Sequence, residues 1–409
     1  MVNDNDALES QLACFLLAGG EGRRLLPLTK FRAKPSLPFG GNASLIDLTL
    51  LNCHRSGIRD VHILVQYCGE SIMQGVKHNW RAVEQSRDMA ISFRSGSSSP
   101  GGYRGTAHAV RHNLERMPLR RIRDVLILSG DHVYDMDYRI FLAWHRVCGA
   151  DLTVAATDVP IADASRFGIL RFDGDCRVTA FWEKPSAPEK LQWAANARLY
   201  ASMGVYLFRA EALRAALAAQ PSLRHDADFG RDVLPAMLSN ARVFAFPFLD
   251  PSGHVGYWRD VGTLESYYRT QIETAGRRRQ FQIRIPPDFP PSPLRRSFWD
   301  PLTGTVCGSD CRIEGDAIDS VIGAGACIAR RARVQDAVLL ENVVIEEGAC
   351  VRRALIDRGA RVPAGTIIDG ETRAGAIPHA IRTLPGDVTV VSTDGGSQRI
   401  PLHRRPVTA

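Results

Sequence analysis

"ACFLLAGGEGRRLLPLTKFRAKP", residues 13–35, joins an unbroken apolar run to a turn holding Gly19, Gly20 and Gly22, then to Arg24 and, further on, Lys34. A run apolar at every position suits a strand buried on both faces of a mainly parallel sheet. Glycines after such a strand leave backbone N–H groups bare, so the turn can lie against phosphates or a base and ribose. The spacing is neither the dinucleotide fingerprint G-x-G-x-x-G nor a P-loop, which ends in G-K-[S/T]. Arg24 and Lys34 put positive charge beside the turn, where a triphosphate needs it. Pro35 biases Lys34 towards an extended backbone.

The same kind of apolar run recurs as "VHILVQ" (61–66), "VLILSG" (125–130) and "DLTVAAT" (151–157), with helical patterns between, as in "TAHAVRHNLERM" (106–117) and "YRIFLAWHRV" (138–147). This alternation is an α/β signature. The segment 262–279 is expected to be a closing helix, with Thr263 as its N-cap. Two carboxylates fall at element ends: Asp131 in "SGDHVYDMDY" and Asp260 in "YWRDVGT". Carboxylates so placed can grip one Mg²⁺, which prefers oxygen ligands and bridges phosphates. Asp135 and Asp137 are read as caps of the next helix.

"RIPPDFPPSPL" (284–294) holds five prolines and reads as an extended linker. Beyond it a different period begins. Ile322, Ile328, Val334; Leu339, Ile345, Val351; and Ile356, Val362, Ile368 are spaced 6, 6 and 5, and the cycle then repeats. A helix has no use for that period, whereas a triangular parallel β-helix places one such residue inside on each short side. Cys311 and Ile313 are assigned to an irregular earlier coil. The expected organisation is a catalytic domain at 10–280, a linker at 281–300, a β-helix at 301–375 and a tail at 376–409.

The chain has 409 residues, 45% hydrophobic and 23% charged, enough for two cores. No apolar run reaches membrane-spanning length, and the polar, acidic start lacks a signal peptide's features, so the cytoplasm is the expected location and no membrane partner is expected. Nine scattered cysteines fit reduced thiols. No His or Cys pair follows Cys307 and Cys311 at zinc spacing. The net charge of +7 is spread over the whole chain, which favours solvated basic faces or a site for anionic metabolites over nucleic acid.

Seven motifs occur in order: "LAGGEGRRLLPLTKFRAKPSLPFGG", "YRGTAHAV", "SGDHVYDMDY", "FWEKP", "ASMGVYLF", "DFGRDVLP" and "YWRDVGT". With the hexad repeat, they closely resemble the bacterial glucose-1-phosphate adenylyltransferase (ADP-glucose pyrophosphorylase) family over about 13–370. The resemblance implies a nucleotidyltransferase domain of GT-A type with a mainly parallel sheet, then a left-handed parallel β-helix, in a homotetramer. It implies that ATP and α-glucose 1-phosphate yield ADP-glucose and pyrophosphate, with Mg²⁺, for storage glucan. It gives Arg24, Lys34 and Asp131 catalytic roles and makes Asp131 and Asp260 the metal ligands. Gly19, Gly20, Gly22, Arg24 and Gly105 then contact the nucleotide, while Lys184 binds the sugar phosphate, Glu183 accepts from sugar hydroxyls, and Tyr103, Gly168 and Ser202 make further substrate contacts. The chain departs from the family pattern at Asn42, Ser44, Leu51, Arg55 and His108, and "FRSGSSSPGG" (93–102) replaces a glutamine-rich stretch near the base. Insensitivity to fructose bisphosphate is expected from Asn42 and Ser44. Alternatives are the same chemistry on UTP or GTP, or a weakly active regulatory paralogue.

Overall fold

Strand β1 (Leu12–Ala18) lies inside a nine-stranded sheet, as its doubly apolar composition demands. The computed structural model describes residues 11–98, 101–117, 122–187, 198–219, 227–369, 380–383 and 388–392. On one edge β1 pairs in parallel with β2 (Asp60–Val65), which pairs with β3 (Ala90–Ser95). On its other edge β1 pairs in parallel with β4 (Asp124–Ser129). The chain thus runs outwards from β1 to β3 and then returns across β1. The crevice beyond the carboxyl ends of β1 and β4 is therefore a topological switch point, where open α/β sheets bind ligands.

A short ribbon follows, made by β5 (His132–Tyr134) and, much later in the chain, β11 (Trp258–Asp260), with His132 opposite Asp260. The rest of the sheet is β6 (Leu152–Pro160), the hairpin of β7 (Gly168–Phe172) and β8 (Val178–Glu183), β9 (Arg198–Arg209) and β10 (Val243–Pro247). β9 is antiparallel to β4. Its last four residues pair with β4, while Tyr200 and Ala201 overrun the end of β4 and pair with β7. That overrun carries the β7–β8 hairpin out over the carboxyl edge of the sheet.

The helices follow their sequence signals. In α1 (Leu45–Arg55), Ser44 and Asp47 form a capping box. Asp47 is fully buried, which pushes its pKa up, and it also accepts from Asn79 Nδ2 (2.9 Å) and Trp80 Nε1 (2.8 Å). α2 spans Gly69–Gln85 and α3 spans Thr106–Leu114. α4 covers Tyr138–Val147 with Asp137 as its cap, accepting from the Arg139 amide. Asp135, expected to cap as well, instead pairs with Arg55 and with Arg284 at 3.3 Å. α5 (Leu264–Ile272) has a Thr263/Ser266 capping box. Among the described residues no helix is long and apolar enough to cross a membrane.

Residues 301–369 wind into a three-sided parallel β-helix. Val321, Val338 and Leu355 stack on one side, Cys327, Val344 and Arg361 on the second, and Arg333, Cys350 and Ile367 on the third, each step being one full cycle of the ladder. The first turn is irregular, since Val306 pairs with Val321 and Arg312 with Cys327, a shorter step than those that follow. All nine residues of the 6-6-5 ladder are buried in the core of this solenoid. Cys311 packs against that core, but Ile313 is 38% exposed. Val388–Val391, inside the stretch expected to be tail, adds a further parallel strand beside Ala354–Ile356. The remainder of 370–409, apart from strand Ala380–Thr383 and Ser392, lies outside the described residues.

The solenoid and the first domain share an apolar layer. Leu25, Leu37, Phe39, Leu48, Val133, Val261 and Tyr268 pack in one cluster with Val306, Val321, Val338, Leu355 and Val390. Polar bonds pin the rim of this layer. Asn42 Nδ2 donates to Pro293 O (2.6 Å), and its Oδ1 accepts from the Ser309 amide (2.9 Å). Arg32 faces Asp357 at 3.3 Å and Glu341 at 3.6 Å. The proline-rich stretch is anchored too: Phe289 is buried against Trp80 and His54, and Ser292 Oγ donates to Asn79 O (2.5 Å).

Candidate active site

Four of the charged residues expected at the site converge at the switch point. Gly19 and Gly20 continue from the end of β1 and are exposed. Gly22 has φ 64°, and a Cβ there would sit 3.0 Å from the Lys34 Cβ and 3.1 Å from Thr29 Cγ2. Glycine is required here for both reasons, and the turn is tied by Thr29 Oγ1 donating to Gly22 O (2.9 Å). Arg24 is exposed and reaches over Gly262, the second residue after Asp260.

Lys34 behaves differently from the expectation drawn from Pro35. It opens a 3₁₀ turn, Lys34–Ser36, with Pro35 in its first turn, where a missing N–H costs nothing. Its ammonium is buried and stands 2.8 Å from Asp131 Oδ2 and 3.3 Å from Asp260 Oδ1. Burial alone would lower its pKa, but the two carboxylates outweigh that and hold it above the ordinary lysine value. Burial acts upwards on Asp131, yet the Lys34 charge, His132 and bonds from Lys34 and Ser129 hold its carboxyl far below the usual range. Asp260 is lowered in the same way: burial opposes, while Lys34, His132 and Arg166 prevail.

The ribbon of β5 and β11 explains why these two carboxylates, far apart in sequence, meet. His132 lies opposite Asp260, and Asp131 directly precedes β5. His132 Nδ1 donates to Met203 O (3.0 Å), so Nε2 faces Asp131 at 3.6 Å and Asp260 at 3.8 Å. Arg166 Nη2 lies 3.4 Å from Asp260 Oδ2. Arg166 carries no recognisable signal in the sequence, and His132 is legible only as part of "GDH". Among the described residues no group of three or more His, Cys, Asp or Glu side chains could hold a metal. Two adjacent, fully ionised carboxylates nevertheless suit Mg²⁺, which completes its shell with water and substrate phosphates.

A second cluster sits on the overhanging hairpin. Glu183, at the end of β8, lies opposite Gly168 at the start of β7. Its Oε1 accepts from Lys184 Nζ (2.7 Å), and Lys184 adopts φ 45°. Its Oε2 lies over Gly168 and Gly230, both of which lack the side chain that would displace it. Gly230 belongs to "DFGRDVLP", where Asp228 accepts from Thr106 Oγ1 (2.9 Å) and the Gly230 amide (2.9 Å). Gly105, with φ 102°, lies so close to the Ala227 carbonyl that no larger residue fits. Ser202 is 8% exposed, and its hydroxyl donates to Tyr206 OH (3.3 Å) at the β9 bulge. The Tyr103 ring is buried, and its hydroxyl oxygen accepts from Asn113 Nδ2 (2.9 Å). The Tyr103 amide donates to Gln66 Oε1 (2.8 Å), next to Gly19 and Gly102. His108 Nδ1 accepts from the Arg104 amide (3.0 Å) on the rim of α3.

A glycine turn and a carboxylate pair at a switch point, followed by a hexad solenoid, define a nucleotidyltransferase architecture. Residues 14–276 match the nucleotidyl transferase family model, and 301–391 match the model described as "GlmU-like, C-terminal hexapeptide". The chain is 38% identical to glucose-1-phosphate adenylyltransferase 2 of Alkalilimnicola ehrlichii, over 94% of each chain. It is 34% identical to the glucose-1-phosphate adenylyltransferase of Hydrogenovibrio crunogenus over 97% of each. With that of Thiobacillus denitrificans it shares 35% over 88% of this chain and 86% of the relative. The chain belongs to the glucose-1-phosphate adenylyltransferase family of nucleotidyltransferases.

Proposed function

We propose that this chain transfers the adenylyl group of ATP to α-glucose 1-phosphate, releasing pyrophosphate and forming ADP-glucose for storage glucan. The observation that carries this reading is the convergence of Arg24, Lys34, Asp131 and Asp260 at the switch point, beneath a hairpin that presents Glu183 and Lys184. The sugar phosphate oxygen attacks the α-phosphorus in line and pyrophosphate departs, so the protein supplies positioning and charge rather than a covalent nucleophile. The bare amides after β1 and the Arg24 guanidinium bind the nucleotide. Lys184 pairs with the phosphate of the sugar, releasing Glu183 to accept from sugar hydroxyls. Asp131 and Asp260 would hold Mg²⁺, which when bound neutralises phosphate charge.

Two further parts of this reading go beyond the site. A homo-oligomer is part of this reading, as the family resemblance implies. All nine cysteines are free, which supports a reducing, cytoplasmic location.

The test is pyrophosphate release by the purified chain with Mg²⁺, glucose 1-phosphate and each of the four nucleoside triphosphates. Turnover with ATP well above the others is expected. Faster turnover with UTP or GTP would overturn the adenylyl assignment, and no release with any nucleotide would overturn the transferase reading itself.

A further inference from the structure

The space between Asp131 and Asp260 already holds a cation, the ammonium of Lys34 at 2.8 and 3.3 Å. Arg166 approaches the pair from the other side of Asp260, and it is shared with Asp163 at 3.5 Å. Two carboxylates carry two negative charges; Lys34 cancels one, and Arg166 draws on the other. A lone divalent cation would have to share these oxygens with an ammonium a few ångströms away. The Lys34 side chain is 9% exposed and the Asp260 side chain 12%, so water screens that repulsion poorly. In the free protein the Lys34 stem lies beside the Gly22 turn, and its ammonium stays within reach of both carboxylates. A triphosphate changes the balance, since its oxygens give Lys34 another partner and bring negative charge for the incoming cation.

We propose that Lys34 is the resident counter-ion of this carboxylate pair: it bars a lone divalent cation from the free protein, and the cation enters together with the nucleotide. The second half of this statement rests on the nucleotide reading above, whereas the first half does not.

The test measures metal binding, not turnover. Mn²⁺ serves as the probe, and its free concentration is followed by electron paramagnetic resonance, with the Mn²⁺ that the nucleotide analogue chelates on its own subtracted from a protein-free titration. The full-length protein, stripped of metal, is titrated alone and with α,β-methylene-ATP, which cannot be cleaved at the α-phosphorus. Lys34→Met removes the charge, Lys34→Gln keeps a hydrogen-bond donor without it, and Arg166→Gln removes the half-exposed second cation. Each variant is first shown by thermal melting to keep the fold. Mn²⁺ alone should bind both Lys34 variants about tenfold or more tighter than the wild type. It should bind Arg166→Gln tighter by a smaller factor, which keeps the proposal testable if both Lys34 variants unfold. The nucleotide analogue should tighten Mn²⁺ binding strongly in the wild type and much less in the Lys34 variants. Equal binding of Mn²⁺ alone to the wild type and every folded variant overturns the counter-ion role. An analogue without effect on the wild type overturns joint entry and the nucleotide reading together, while the comparison without nucleotide still decides the counter-ion role.

Discussion

At the scale of single residues, the site is an arrangement of charges that neutralise one another. Asp131 touches Lys34, His132 and Ser129, so neutralising it removes the shorter of the two Lys34 ion pairs and leaves Asp260 to face Lys34 and Arg166. Asp131→Asn should lower pyrophosphate release by about a thousandfold or more with the fold intact, because the lost charge served the transition state; turnover within about tenfold of wild type would refute its assignment. Lys184→Gln should instead raise the KM for glucose 1-phosphate about tenfold and leave kcat and the KM for ATP nearly unchanged, as removal of a ground-state phosphate contact does. The identity of these residues is legible because carboxylates and lysines at strand ends stand out against apolar runs. Their partners are not. The sequence presents Lys34 as a phosphate ligand, yet its nearest anions are two aspartates delivered by remote elements of the chain, a pairing that local sequence cannot express. The orientation of Tyr103 is hidden for a related reason: its hydroxyl accepts from Asn113, at the far end of the helix beside it.

At the scale of elements, small residues and buried titratable groups set the geometry. A methyl on Gly230 would collide with the Glu183 carboxylate, the movable end of a side chain, rather than with backbone. Gly230→Ala should therefore shift the melting temperature by no more than about 2 °C while raising the KM for the sugar phosphate, since displacing Glu183 costs little stability and spoils its aim. In α4, His145 is buried with Nδ1 bonded to Thr153 Oγ1 (2.7 Å), and burial, opposed by Asp124, lowers its pKa to about 4. Its folded pKa lies below the unfolded value of about 6.5, so between these limits the unfolded chain takes up a proton that the native chain refuses. Stability should fall by about 2–3 kcal/mol as pH drops from about 6.5 to about 4, and be insensitive to this group at higher pH. His145→Gln should flatten that part of the curve of melting temperature against pH; an unchanged slope would exclude the histidine as its source. α4 is found where the sequence expects it, at 138–147, because its cap and periodicity are local. The Lys34 turn is not extended as Pro35 suggests, because a proline in the first turn of a short 3₁₀ segment resembles a proline that breaks a helix.

At the scale of the whole molecule, the solenoid is the part most completely written in the sequence, since its 6-6-5 cycle repeats one packing solution and every ladder residue points inwards. So few coils need a partner surface, either the first domain or another subunit, but which residues meet it is not legible there. Leu25, Val133 and Val261 lie in the first domain's stretch of sequence, yet they pack in the same cluster as Val306, Val338 and Val390. A chain ending at Ser297 would uncover that layer, and it should be recovered largely in the insoluble fraction; a soluble, monomeric, fully active fragment would contradict the shared-core description. Leu25 adjoins Arg24, Val133 adjoins His132 and Val261 adjoins Asp260. The apolar layer next to the charged centre is thus a seam between two modules. Grafting a foreign hexad array onto this catalytic half would reshape the ground on which the chemistry stands, so the two halves must drift in step, each substitution on one side answered on the other.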